Sequence, residues 1–228
     1  MTFSLVAHCP RTGQVGVAAM TAMLGVGKLV SHASPQVGAA ASQAIMNPYL
    51  AIDGLRLLGE GATAEEALAT VVGADPGANG RQLGIVDVRG GAATHTGDAP
   101  EDWKGGRTGV ADGGGAWACQ GNRLAGPEVL DAAVGAFLAR PGDDLVRRLI
   151  AALDAGEGAG GDTKGHHSAA VYVMETEEYP LWDLRVDDAD DPLRELHDRL
   201  EAFEERLIGQ IRKLPTRADP KGEIDVDV

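Results

Sequence analysis

Polar and apolar residues alternate from the second position, Thr2-Phe3-Ser4-Leu5-Val6-Ala7, and this period of two predicts a strand that opens the chain. Turn chemistry follows in Cys9-Pro10-Arg11-Thr12-Gly13, and residues 14–20 read as a second strand, so the two make a hairpin. Residues 37–43 are small and apolar, as a tightly packed strand requires. Asn47-Pro48 breaks that run and starts a helix over 48–58, which ends near Gly59 and Gly61. Thr63 followed by Glu66 is a capping box that opens a second helix, to about residue 72. Residues 82–88 and 91–96 form a further hairpin across Arg89-Gly90, and the Gly- and Asp-rich stretch 97–115 reads as a long loop. A short strand at 117–120 precedes helices over 127–139 and 143–155. A glycine-rich loop, 156–165, then leads into strands at 168–174 and 181–186. The final helix, 192–214, carries Leu193, Leu196, Leu200, Phe203, Leu207 and Ile211 on one stripe, a pattern that suits packing on its own domain or on a dimer partner.

Helix pairs inserted between hairpins do not give the strand–helix alternation of a parallel sheet. The order suits an α+β protein with antiparallel sheets covered by helices, a four-layer αββα sandwich. The expected organisation is one domain over 1–191, a C-terminal helix over 192–214 and an acidic, aperiodic tail over 215–228 that reads as disordered. Of the 228 residues, 44% are hydrophobic but only 4% aromatic, and 32 are glycine, so the core must be built of Ala, Val, Leu and Ile with close backbone approaches. A net charge of −14 with scattered Lys and Arg argues against a nucleic-acid partner. There is no apolar run of about 18 residues to span a bilayer and no leader pattern, so the expectation is a soluble, cytoplasmic protein. Cys9 and Cys119 have no ligand-like spacing and read as small hydrophobes.

The candidate chemistry is at the amino terminus. If Met1 is trimmed, Thr2 carries a hydroxyl and a free α-amine on one residue, a nucleophile with its own base. Ser4 shares the face of Thr2 and is either a second hydroxyl of the site or a structural serine. His166-His167 are adjacent on a strand-like segment and point apart, so no metal site is expected. The runs Gly105-Gly106 and Gly113-Gly114-Gly115 lack the lysine and hydroxyl of a phosphate loop, and no Gly-x-Ser-x-Gly elbow is present; no cofactor is expected.

Several segments in fixed order carry a resemblance. They are Thr2-Phe3-Ser4; residues 38–48 with Gln43, Asn47 and Pro48; Arg81-Gln82-Leu83-Gly84-Ile85-Val86-Asp87; Gln120-Gly121-Asn122; Leu124-Ala125-Gly126-Pro127-Glu128-Val129-Leu130; Gly160-Gly161-Asp162; and Asp183-Leu184-Arg185-Val186-Asp187. Together they resemble the family of domains of unknown function numbered 1028. The resemblance implies an N-terminal-nucleophile (Ntn) hydrolase fold, with the first residue after processing as nucleophile. On that reading Thr2 attacks a small amide or peptide-like substrate, its α-amine serves as base and then acid, and Asn122 is the oxyanion donor. Asp162 orients the terminal amine or closes an Asx turn, and Gln43 and Asn47 line the pocket or satisfy backbone groups beside Pro48. The competing expectation is a non-catalytic relative that keeps the sandwich as a binding or assembly module, a homo-oligomer through the last helix.

Overall fold

A computed structural model of the protein describes residues 2–99, 102–111 and 113–223. The chain opens with β1 (Thr2–Cys9) and β2 (Gln14–Thr21), then a short helix α1 (Val26–Leu29), β3 (Ser31–Ser34) and β4 (Gly38–Ala44). Helices α2 (Pro48–Gly59) and α3 (Ala64–Ala74) precede β5 (Arg81–Asp87), β6 (Ala92–Thr96), β7 (Trp103–Val110) and β8 (Ala116–Leu124). Helices α4 (Glu128–Leu138) and α5 (Leu145–Gly158), strands β9 (Ser168–Met174) and β10 (Trp182–Val186), and helices α6 (Pro192–Arg206) and α7 (Ile208–Ile211) complete it.

The strands form two antiparallel sheets, one of six strands in the order β10-β9-β2-β1-β8-β7 and one of four in the order β3-β4-β5-β6. The alternation in β1 sets the layering. Phe3, Leu5, Ala7 and Cys9 point to one core, with Leu130, Phe137, Leu149 and Leu153 of α4 and α5. Val6 points the other way and joins Ala39, Ala41 and Val86 of the four-stranded sheet. On the far side of that sheet Ala40, Leu83 and Ile85 pack on Leu50, Leu58, Ala67 and Val71 of α2 and α3. The layers are therefore helices, sheet, sheet, helices.

Local chemistry starts the helices where the sequence predicts. Asn47 caps α2 by accepting the Tyr49 N–H, with Pro48 in the first turn, and Thr63 and Glu66 exchange both bonds of a capping box on α3. Buried Asp87 takes N–H bonds from Ala64, Arg89 and Gly91, so one carboxylate ties the start of α3 to the β5–β6 turn. Few aromatics leave a thin layer of Val and Ala between the sheets, and glycine carries the closest approaches. A Cβ on Gly38 would lie 2.2 Å from the Val86 carbonyl oxygen, and one on Gly84 would lie 1.9 Å from Gln120 Oε1.

Three local expectations are corrected. Residues 103–110 are not loop but the edge strand β7, whose glycines hid it. Gly106 and Gly109 face Thr94 and the Trp117 ring so closely that Cβ atoms there would come within 2.5 Å, so strand identity comes from pairing with β8 rather than from propensity. The strand expected at 117–120 runs on to Leu124 because β1 and β7 pair with it on both sides. The last helix is not continuous over 192–214 but breaks at Leu207; its stripe packs on its own domain, one of its two expected destinations, with Leu196 and Leu200 in the core and Leu193, Phe203, Ile208 and Ile211 against it. Residues 215–223 of the expected tail form turns, with Thr216 and Glu223 donating to Asp219 and Lys213 carbonyls; 224–228 lie outside the described residues.

Leu149 is fully buried where α5 meets the six-stranded sheet. Leu149→Ala is expected to lower unfolding free energy by about 2–5 kcal/mol, read as a lower urea midpoint with an unchanged slope.

Candidate functional site

Strand β1 is central in its sheet, so its first residue is flanked on both sides: Thr2 pairs with Thr21 of β2 and with Asn122 of β8. Thr2 is 6% exposed, and its hydroxyl donates to Thr21 Oγ1 at 3.1 Å. Its side chain faces the other sheet, as do Ser4 and the alternate β8 residues Gln120 and Asn122. Gln43 and Gln82, paired across β4 and β5, face them.

These residues make one buried network between the sheets. The Gln43 amide nitrogen donates to the Thr2 carbonyl at 3.2 Å, to Gln82 Oε1 at 2.8 Å and to the Gln120 carbonyl at 3.3 Å. Asn122 Nδ2 donates to the same Thr2 carbonyl at 3.4 Å and to Gln82 Oε1 at 3.0 Å. Gln82 in turn donates to the Gly121 and Gly105 carbonyls and to Thr96 Oγ1. Ser4 donates to Gln43 Oε1 at 2.7 Å and accepts from Gln120 Nε2 at 2.6 Å. Buried amides of this kind are costly unless paired, and the pairing fixes the register of the two sheets. Gln120 Oε1 remains without a hydrogen-bond partner among the described residues.

The loop 159–167 closes the sheet end beyond Thr2. Asp162 forms an isolated bridge with Leu124, just past the β8 residue that pairs with Thr2, so it stands ahead of β1 in the strand direction. Asp162 is 5% exposed; Oδ1 accepts the Lys164 N–H, the closing bond of an Asx turn, while Oδ2 has no hydrogen-bond partner among the described residues. Burial raises its pKa, opposed by the backbone N–H groups of Lys164 and Ala22. On the helix side of the sheet, His166 stands edge-on to Phe3, ring centroids 5.8 Å apart, and its Nδ1 lies 2.6 Å from Glu157 Oε2, off the axis of an aligned hydrogen bond. Burial, helped by neighbouring His167, lowers His166 to about 4, and burial beside Asp162 and Asp191 raises Glu157. Gly161, at φ 48°, permits the approach, since a Cβ there would sit 2.1 Å from Glu157 Oε2.

Of the residues singled out from sequence, Thr2, Ser4, Gln43 and Asn122 come together, and Asp162 stands beside them at the strand end. Asn47 does not join: its side chain caps α2 and reaches Asp75 at 3.5 Å. Asn122 lies within β8, not in a turn, and both contacts of its amide nitrogen are internal. Met1 lies outside the described residues. Sequence reasoning passed over Thr21 and gave Gln82 and Gln120, quoted only within the motifs of the resemblance, no role at the site. A signal for the glutamines was there, because each shares a strand face with a small residue two positions away, Gly84 for Gln82 and Ala118 for Gln120. Cys9 and Cys119 are buried free thiols, and burial pushes Cys119 up to about 12. Among the described residues no group of three His, Cys, Asp or Glu side chains could hold a metal ion.

Two backbone features mark this end of the sandwich. Four non-glycine residues among those described have positive φ, and two of them, Ala44 at 69° and Arg123 at 56°, directly follow Gln43 and Asn122, the two residues that hold the Thr2 carbonyl. The segments that leave the sheets here are also apolar and exposed. Nine large hydrophobic side chains among the described residues are exposed, and seven lie in 23–29 or 45–52: Met23, Leu24, Leu29, Ile45, Met46, Tyr49 and Ile52.

Residues 2–196 match a family described as a family of unknown function, DUF1028. The chain belongs to that family. A crystal structure of a DUF1028 protein from Silicibacter pomeroyi is similar, with 33% identity and a TM-score of 0.88 over 98% of this chain and 99% of that one. No curated protein matches. The DUF1028 match takes in every residue of the network and the loop 159–167. No helix among the described residues is long and apolar enough to cross a membrane.

Gln82→Leu removes the donor and acceptor at the centre of the network and leaves Gln43 and Asn122 short of an acceptor. It is expected to destabilise the protein by about 3 kcal/mol or more, measured by urea unfolding. His166 has a folded pKa of about 4, below its unfolded value, so the folded state binds fewer protons between the two and stability rises with pH from about 4 to 6.5. Glu157 and Asp162 are shifted upward and tilt the profile the other way, so the quantity to measure is the difference between wild type and His166→Gln, expected to grow by up to about 3 kcal/mol across that window.

Proposed function

We propose that this DUF1028 protein is an N-terminal-nucleophile hydrolase of the αββα type, cleaving an amide or peptide-like bond of a small substrate through Thr2 after Met1 is removed. The observation that carries the reading is the position of Thr2: first in a central strand, its side chain between the two sheets, its carbonyl held by Gln43 and Asn122 from opposite sheets. Trimming gives the Thr2 nitrogen and oxygen to one residue at the end of the strand. The amine takes the hydroxyl proton as Oγ1 attacks the carbonyl, and returns it to the leaving nitrogen as the tetrahedral intermediate collapses to an ester. Water then cleaves the ester by the reverse sequence. Thr21 Oγ1, 3.1 Å from Thr2 Oγ1, holds the nucleophile's rotamer, and Asp162 ahead of the strand balances the charge of the amine when it is protonated. The exposed apolar segments that follow Thr21 and Gln43 suit a substrate with an apolar group beside the scissile bond.

One observation favours the non-catalytic alternative. The Asn122 amide is engaged within the fold, so the oxyanion needs either its release from Gln82 or a backbone donor. The soluble, cytoplasmic and oligomeric expectations stand as part of this proposal.

Intact mass of the purified chain is expected to lack Met1, and a β-lactone probe is expected to add one equivalent at Thr2, with the adduct absent from Thr2→Ala and retained in Ser4→Ala. A homogeneous chain that retains Met1, or labelling that persists in Thr2→Ala, selects the binding-module reading.

A further inference from the structure

A cavity of about 540 Å³ opens on the helix side of the six-stranded sheet, lined by Met20, Glu157, Gly165, His166, His167, Asp190, Asp191, Pro192 and Leu193. It is separate from the Thr2 network, since Met20 and Phe3 point to the helices whereas Thr2 and Thr21 point to the other sheet. Its chemistry is one-sided. Three carboxylates and two imidazoles line it, with no Lys or Arg, beside the apolar surfaces of Met20, Pro192 and Leu193.

The decisive group is His166, 7% exposed, with neither ring nitrogen in a hydrogen bond among the described residues. The half-exposed Glu157 carboxylate lies 2.6 Å from Nδ1 but off the axis of a hydrogen bond, so whichever ring nitrogen lacks the proton of the neutral imidazole presents an unpaired lone pair. A buried acceptor left unpaired carries a desolvation cost that a ligand donor removes. Glu157 and Asp190 add charged acceptors; Asp191 is already engaged, by the Arg194 N–H at the start of α6 and by the Arg194 guanidinium at 3.8 Å. A site made of acceptors and hydrocarbon matches a group with only N–H donors, a positive charge and an alkyl stem.

We infer that this cavity binds a primary alkylammonium group, with the ammonium donating to the unprotonated ring nitrogen of His166 and to the carboxylates of Glu157 and Asp190 and the alkyl part lying on Met20 and Leu193. The inference does not require Thr2 to act as a nucleophile, although Asp162, beside the start of β1, also acts on Glu157. Neutral and anionic analogues of the same length leave the carboxylates unmatched and bind far more weakly.

The test is an NMR titration of the full chain with n-butylammonium chloride, 1-butanol and sodium butyrate at constant ionic strength, following the His166 ring resonances. Butylammonium is expected to shift them saturably, the other two probes are not, and Glu157→Gln is expected to weaken binding by about tenfold. Asp190 is exposed, so Asp190→Asn folds without difficulty and gives a second reading of the same effect should Glu157→Gln be unstable. Absence of a saturable shift, an equal shift with 1-butanol, or affinity unchanged in Asp190→Asn and Glu157→Gln overturns the inference. A response to zinc chloride with none to butylammonium overturns it as well.

Discussion

The contact between Gln43 and Gln82, with Asn122 and the Thr2 carbonyl as its other ends, is the constraint on which this molecule depends. Two sheets lined by alanine and valine can slide with little loss of apolar contact, because such side chains are alike and non-directional. Buried amides cannot. Each donor of Gln43 and Asn122 has an acceptor in one register only, and a one-residue slip would turn Ser4, Gln120 and Asn122 into hydrocarbon. The network thus specifies how the sheets meet, and the apolar layers on their outer faces supply most of the stabilisation.

The same network holds the start of β1 in place. An end strand position normally frays, but Thr2 has a partner strand on each side and two side-chain donors on its carbonyl. Left-handed backbone at Ala44 and Arg123 falls in the last residues of β4 and β8, directly after each of the residues that hold Thr2. The apolar segments 23–29 and 45–52 leave the sheets at this end.

Much of this was legible in the sequence because it follows from period and local chemistry. The first hairpin, the Asn47-Pro48 start, the Thr63–Glu66 capping box and the order of helix pairs and hairpins all depend on residues near one another in the chain. The family resemblance extends over the same segments. The parts that escaped depend on partners far away. Lys104-Gly105-Gly106-Arg107 has no strand propensity, and the close approach of the Trp103 ring to Gly105 and of Thr94 to Gly106 explains glycine there. Gln120-Gly121-Asn122 reads as a turn by composition, yet glycine at 121 serves to admit Phe3 and Leu124, and the amides on either side face the other sheet. Asn47 matched both a pocket residue and a helix cap, and the nearer partner, the Tyr49 N–H, is the one it has.

Alternation in a single strand also explains why two chemistries meet at one end of the fold without mixing. Odd residues of β1 face helices, so Phe3 places a ring edge against His166 and helps exclude water from it; even residues face the second sheet, so Thr2 and Ser4 enter the amide network. Asp162 lies in neither layer. It sits on the strand axis itself, between Lys164 and Leu124, with one oxygen satisfied and one not. By contrast Asp87, equally buried at the opposite end of β5, has backbone donors on both oxygens and is a structural cap. The difference between these two carboxylates is chemical capacity: Asp87 has backbone donors aligned on both oxygens, whereas Asp162, beside the start of β1, has one oxygen outside any aligned hydrogen bond, in a place where a positive charge is the natural complement.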